Sequence, residues 1–141
     1  MITTDRSSDT TADVGKLLLR LVLGLLILVH GISKLRNGPG EVLDAVTKAG
    51  LPGAIGYLVY VGEVVAPLML IVGVWTRAAA AIIAINLVVA VALVHMSMLF
   101  SLAKTGGWAL ELQGIYFGAA VAIVLLGAGK GGAPRDRKSV V

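Results

Sequence analysis

Six ionisable side chains interrupt the apolar stretches of this sequence, and they are its first candidates for chemistry. They comprise two basic residues, two histidines and two glutamates: Arg20, Lys34, His30, His95, Glu63 and Glu111. An ionisable group inside a bilayer costs about 2.5–3.5 kcal/mol by insertion scales, so each needs a partner or a functional role. Because the basic residues and the glutamates balance in number, we expect internal pairing of charges rather than a charged pore.

The spacing of these residues places some of them on shared helix faces. His30 and Lys34 lie one turn apart on one face, and Arg20 precedes Lys34 by close to four full turns. Pro67 follows Glu63 by four residues and cannot donate the hydrogen bond that the carbonyl of residue 63 would accept. We therefore expect a kink beside Glu63, with a free carbonyl open to a ligand or to water.

Counting from the predicted helix ends places most of these groups in the outer third of the membrane and Glu63 near its midplane. We expect a polar pocket for a ligand or for protons, lined by His30, Lys34, Glu63, His95 and Glu111. Such a pocket suits a quinone headgroup, with histidine and glutamate passing protons. Structural ion pairing is expected among Arg20, Glu63 and Arg77. In the alternative reading, Glu63 only locks the bundle by pairing with Arg20 or Lys34.

Other cofactors suit the sequence less well. Two histidines on different helices could ligate haem, but the chain has only two and a hydrogen-bonding role explains each of them. A metal site could form only if its four candidate ligands lay at more similar depths in the membrane, so no metal is predicted. These candidates are His30, His95, Glu63 and Glu111. The absence of cysteine excludes thiolate chemistry and iron–sulfur ligation within this chain. The cofactor and the catalytic residue remain unassigned, with quinone as the candidate.

The elements that must position these residues are four apolar segments. The chain has 141 residues, of which 57% are hydrophobic and 14% charged, which is typical of a membrane domain rather than a small soluble one. The apolar segments cover about 16–35, 54–74, 78–100 and 108–127, and each can cross the hydrocarbon core. Since backbone groups in lipid must be paired within their own segment, we predict an all-α bundle of four transmembrane helices over 15–129. Residues 1–14 and 130–141 are predicted to be flexible polar tails.

Local patterns refine this arrangement. Residues 41–49 repeat apolar side chains at helical spacing before Gly50 and Pro52, which predicts a short amphipathic helix on the outer surface between spans 1 and 2. Gly24 and Gly31, and Gly114 and Gly118, are expected to allow close packing of helix backbones. A signal peptide ending near Ser33 is the rival interpretation of the first segment.

The distribution of Lys and Arg predicts the orientation. Basic residues are concentrated on the side that holds both tails and the turn at Arg77, so the positive-inside rule places both termini on the cytoplasmic side. The expected location is the plasma (inner) membrane of a prokaryote. The net charge of +4 is explained by this topology and by anionic lipid, so no nucleic acid partner is expected.

Taken in order along the chain, one set of residues resembles the DoxX family. The set consists of Leu19, Arg20, Gly24, His30, Gly31, Lys34, Leu35, Gly50, Pro52, Glu63, Gly73, Thr76, Arg77, His95 and Glu111. The resemblance implies a four-helix membrane fold and an association with quinol oxidase, thiosulfate:quinone oxidoreductase or oxidative-stress complexes. It implies that Arg20, Lys34, Glu63, Arg77, His95 and Glu111 are the characteristic polar residues of the family, mostly without an assigned role.

The leading hypothesis is therefore a membrane subunit of a quinone-linked redox or oxidative-stress complex, whose electron donor belongs to a partner protein. Whether the chain is itself catalytic stays open. Two alternatives stay open as well: a transporter of protons or small solutes, and a membrane scaffold or receptor for partner proteins. The expected partners are the lipid bilayer and other redox proteins, and a homo-oligomer is also open.

Overall fold

A computed structural model describes residues 6–128 of the chain, without the side chains of residues 6–9, 94 and 95. Five helices account for most of this part: α1 (Arg6–Asn37), α2 (Gly40–Lys48), α3 (Gly53–Val72), α4 (Thr76–Ala90) and α5 (Glu111–Leu126). Helix α4 continues through a π-helical turn, Val91–His95, and a short 3-10 turn, Met96–Met98. The predicted all-α class is confirmed.

Four of the helices pack in a closed ring around one core. Helix α1 contacts α3 and α5, while α4 packs between α3 and α5. The core contains large aliphatic side chains and several alanines with no exposed surface: Leu23, Ile27, Leu70, Ile83, Ile123, Ala66, Ala79, Ala80 and Ala120. Many large apolar side chains point outward instead, among them Leu18, Ile85, Ile115 and Leu125. The ring is therefore apolar both inside and outside.

Two stretches of the described chain are, by length and composition alone, able to cross a membrane. They are Gly53–Val72 and Thr76–Leu93, while Glu111–Leu126 is equally apolar but has 16 residues. These two stretches overlap the predicted spans 54–74 and 78–100. They form a hairpin, because Gly73, directly after α3, has φ 85° and Trp75 adopts φ 51° before α4 begins.

Several boundaries differ from the predicted ones. Helix α1 already includes residues 6–14, where the sequence predicted a flexible tail. The predicted α-helical span 78–100 changes to π and 3-10 geometry after Ala90. The last helix begins at Glu111 rather than at residue 108. Predictions for residues 1–5 and 130–141 lie outside the described residues.

The predicted amphipathic helix is present as α2. Its residue Val46 is buried, and its apolar side packs against the 3-10 turn at the start of α3. The contact is close at Gly56, where an added Cβ atom would lie 3.0 Å from the Leu43 side chain. Gly50, with φ 80°, ends the helix, and the Leu51 amide donates back to the Val46 carbonyl. This is the glycine-terminated end that the sequence predicted.

A compact loop joins the end of α4 to α5. An antiparallel bridge between Leu102 and Trp108 closes it, and the Ala103 amide donates to the Gly107 carbonyl at 2.7 Å. The backbone groups of this loop are thereby hydrogen-bonded without a helix. The loop includes residues 108–110, which the sequence placed at the start of the fourth span.

Candidate functional site

The polar residues of α1 and α3 meet in a partly open cavity between the four helices of the ring. Its volume is about 290 Å³, and α1, α3, α4 and α5 all contribute to its walls. The polar and aromatic lining residues are His30, Lys34, Glu63, Asn86, Gln113 and Tyr116. Aliphatic side chains including Ile27, Ile83 and Leu87 complete the walls. The cavity therefore combines an apolar frame with a few converging polar groups, which is typical of small-molecule sites.

An ion pair between α1 and α3 is the strongest polar contact in this cavity. Lys34 Nζ donates to Glu63 Oε1 at 2.7 Å, with the Lys34 side chain 38% exposed and that of Glu63 11% exposed. Glu63 Oε2 is buried and has no hydrogen-bond partner among the described residues. One carboxylate oxygen is thus neutralised, while the other remains able to accept a hydrogen bond.

Local backbone geometry explains why Lys34 reaches Glu63. Glu63 lies in a π-helical turn, Val61–Val65, directly before Pro67. Gly31 of α1 packs on the Glu63 backbone so closely that a Cβ atom there would lie 2.7 Å from the Glu63 carbonyl carbon and would collide with its oxygen. Glu63 therefore lies level with Gly31 along the bundle, less than one helical turn from Lys34. Its carbonyl is covered by Gly31, contrary to the expectation that a ligand could reach it.

Three lining residues were absent from the predicted site: Asn86, Gln113 and Tyr116. The Tyr116 ring meets the His30 ring edge to face, with centroids 6.0 Å apart. Asn86 packs against α3, where a Cβ atom at Gly62 would lie 2.6 Å from Asn86 Cγ. A sequence signal did exist, because Gln113 and Tyr116 lie one turn apart in an otherwise apolar helix.

Of the four remaining predicted residues, three lie outside this cavity and the fourth, His95, is described only by its backbone. Arg20 is buried and its Nη1 donates to the Ala128 carbonyl at 3.0 Å, close to the C-terminal end of α5. Arg77 is half-buried and makes no ion pair within the described residues. Glu111 opens α5 outside the cavity, with its carboxylate beside Gly107. His95 is the last residue of a π-helical turn, and its side chain is not among those described. The haem hypothesis depends on that side chain and therefore stays a prediction.

The two predicted glycine pairs, Gly24 with Gly31 and Gly114 with Gly118, differ in how closely another helix packs against them. Gly24 and Gly31 both allow α1 to approach α3, since a Cβ atom at Gly24 would lie 2.9 Å from Ile71 Cγ1. Gly114 instead faces the Trp108 ring, and a Cβ atom at Gly118 would meet nothing within 4 Å. Close helix packing is therefore observed for the first pair and not for the second, because a loop residue covers Gly114.

The donor set suits hydrogen bonding rather than metal ligation. Among the side chains that the structure describes, which do not include that of His95, no three His, Cys, Asp or Glu group as metal ligands. The cavity offers an ammonium group, a carboxylate, an imidazole, two amides and a phenol. These groups can hydrogen-bond a small neutral ring that carries oxygen atoms, and they can exchange protons with it.

Comparison with known proteins adds a family and a distant relative. A Bacillus subtilis (strain 168) protein named "Putative oxidoreductase CatD" is 28% identical over 88 residues, which cover 62% of this chain and 65% of that protein. No solved structure matches. The sequence profile of the DoxX family matches residues 15–96, which include most of α1 and all of α2, α3 and α4. This chain belongs to the DoxX family of membrane proteins.

Proposed function

We propose that this protein is a membrane subunit of a quinone-linked redox system and that its polar cavity binds the quinone headgroup. The observation that carries the proposal is the Lys34–Glu63 pair in a cavity of about 290 Å³ that His30 and Tyr116 also line. Drug-sized ligands occupy pockets of roughly 300–1,000 Å³, so this volume suits a headgroup of one or two rings rather than a dinucleotide.

The lining residues match the chemistry of such a headgroup. A quinone has two carbonyl oxygens, which accept hydrogen bonds from ammonium, imidazole and amide donors. Reduction to the quinol adds two electrons and two protons. Lys34 and His30 each donate one proton to the reduced ring and are reprotonated from water, with the Glu63 carboxylate as the acceptor that relays the incoming protons. In this proposal the electrons come from a flavin, haem or iron–sulfur centre of a partner protein. This chain has no cysteine with which to ligate an iron–sulfur cluster of its own.

Relatives support a redox role. The Bacillus subtilis relative carries the word oxidoreductase in its name, and this chain spans 65% of its length. A subunit that binds quinone and receives electrons from a partner is consistent with that name. An association with oxidative-stress enzymes belongs to the same proposal.

The proposal places four helices across the prokaryotic plasma membrane, with both termini in the cytoplasm. Helix α1 is apolar from Leu17 to Val29 except for Arg20, and it packs beside α3 for most of that length. Helix α5 spans about 24 Å at 1.5 Å per residue, which is less than the hydrocarbon thickness of about 30 Å. The loop that carries Trp108 extends α5 toward one interface, where tryptophan is favoured.

A titration with matched variants tests the proposal. We expect purified protein in nanodiscs to bind a methylnaphthoquinone, and Glu63→Gln to weaken that binding at least tenfold. Glu111→Gln makes the same chemical change outside the cavity and should bind like the wild type. Equal binding by all three proteins, or no binding by any, would refute the proposed site.

A proton or solute pathway is the second candidate. The buried Oε2 atom of Glu63, which has no hydrogen-bond partner in the described part of the chain, favours it. Proteoliposomes that contain the wild type would then show a flux that Glu63→Gln abolishes. A scaffold or receptor role predicts instead that partner binding tolerates the same substitution.

A further inference from the structure

An apolar groove adjoins the polar cavity between α4 and α5. Its volume is about 150 Å³, and it is lined by Leu87, Val88, Val91, Trp108, Leu110, Gln113, Gly114 and Phe117. Leu87 and Gln113 line the polar cavity as well, so the two spaces lie side by side. Val88 is 54% exposed and Phe117 40% exposed, which places the outer rim of the groove on the apolar surface of the bundle.

The wall formed by Trp108 is held in place from two sides. Trp108 Nε1 donates to the Leu99 carbonyl at 2.7 Å, which fixes the indole relative to the loop. The other edge of the ring lies over Gly114, where a Cβ atom would be only 2.9 Å from Trp108 Cζ3. Any side chain at position 114 would therefore displace the ring, so the shape of the groove depends on this glycine.

We infer that the groove holds the first part of a hydrocarbon tail whose polar ring occupies the Lys34–Glu63 cavity. This inference rests on the proposed function and names its substrate class: a quinone with a prenyl or alkyl tail. An apolar cavity of about 150 Å³ in another protein accommodates benzene, so the groove has room for one five-carbon prenyl unit. The ligand enters sideways from the lipid between α4 and α5, with its ring directed inward.

Two ligands and two pairs of variants separate the tail site from the headgroup site. The ligands are a methylnaphthoquinone without a tail and the same ring with one prenyl unit. Gly114→Ala moves the Trp108 ring, and Gly118→Ala adds the same methyl group one turn away in open space. Val88→Trp fills the rim of the groove from an exposed position, and Ile85→Trp is its control outside the groove. All proteins are measured in nanodiscs of one lipid composition. Partitioning of the tail into lipid is then the same for every variant and cancels when the affinities of variant and wild type are compared.

We expect Gly114→Ala and Val88→Trp to weaken binding of the prenylated ring at least fivefold, while the ring without a tail binds within twofold of the wild type. The two controls should leave both affinities unchanged. If both ligands lose affinity equally, or if neither substitution matters, the tail site is wrong although the headgroup site stands. If the wild type binds neither ligand, the proposed function itself fails.

Discussion

At the scale of single residues, the central feature is a carboxylate with one paired oxygen and one free oxygen. Lys34 satisfies Glu63 Oε1, while Oε2 stays buried without a partner in the described chain. A buried polar atom without a partner costs about 1–3 kcal/mol, so its presence indicates a group that a ligand or a proton is needed to satisfy. The partial exposure of Lys34 means that this cation can move toward such a ligand.

Replacing Lys34 alone should therefore lower the free energy of unfolding more than replacing Lys34 and Glu63 together. We expect Lys34→Met to lower the free energy of unfolding by about 1–3 kcal/mol, because it leaves a buried carboxylate without its counter-charge. The double variant Lys34→Met with Glu63→Gln should recover most of that loss. Thermal denaturation in detergent measures both values, and Lys48→Met, at an exposed position on α2, is the control. Additive losses in the double variant would show that the two groups are not coupled.

At the scale of elements, the close approach of α1 to α3 sets the site. Gly24 and Gly31 lie two turns apart and admit the backbone of α3 around Pro67 and Glu63. The π-helical turn, Val61–Val65, occurs at the same place, and such turns are frequent at functional sites. A small change in this contact would move the Glu63 carboxylate relative to Lys34.

The glycine contact gives a direct prediction. We expect Gly31→Ala to destabilise the protein by about 1–3 kcal/mol and to weaken quinone binding, since the new methyl group would collide with the Glu63 backbone. Gly15→Ala, where a Cβ atom meets nothing within 4 Å, should not destabilise the helix. Chemical denaturation and a quinone titration provide the two readouts. A Gly31→Ala protein as stable as the wild type would show that this contact is looser than the structure has it.

The sequence predicted the helices more reliably than their contacts. Apolar length predicted the two candidate spans Gly53–Val72 and Thr76–Leu93, and helical spacing predicted α2. Which cation pairs with Glu63 could not be predicted, because that depends on the register between α1 and α3. Tyr116 was missed for a similar reason, since its face of α5 becomes significant only once α1 lies beside it.

At the scale of the whole molecule, the ring of four helices buries alanines and large aliphatic side chains inside and also exposes large apolar residues outside. Ala79, Ala80 and Ala120 have no exposed surface, while Ile85, Ile115 and Leu125 are mostly exposed. A soluble protein rarely exposes so extensive an apolar surface, and lipid tails would cover it here. Membership of the DoxX family agrees with that environment.

The proposed orientation can be mapped with single cysteines, because the chain has none of its own. We expect Ser8→Cys and Ser139→Cys to react with a membrane-impermeant maleimide only in inverted vesicles. Lys48→Cys on α2 and Lys104→Cys on the loop before α5 should react only in right-side-out vesicles. Opposite labelling of the two termini would show an odd number of spans and would contradict the four-helix topology.

Photolabelling with an azidoquinone tests the central claim most directly, because it locates the bound ring. The protein in nanodiscs would be irradiated with the probe, digested and analysed by mass spectrometry, with and without excess unlabelled quinone. We predict competable labels within α1 around His30, within α3 around Glu63 and within α5 around Tyr116, and their loss in Glu63→Gln. Labels confined to the outer surface of the bundle, or unchanged in Glu63→Gln, would contradict a quinone site in this cavity.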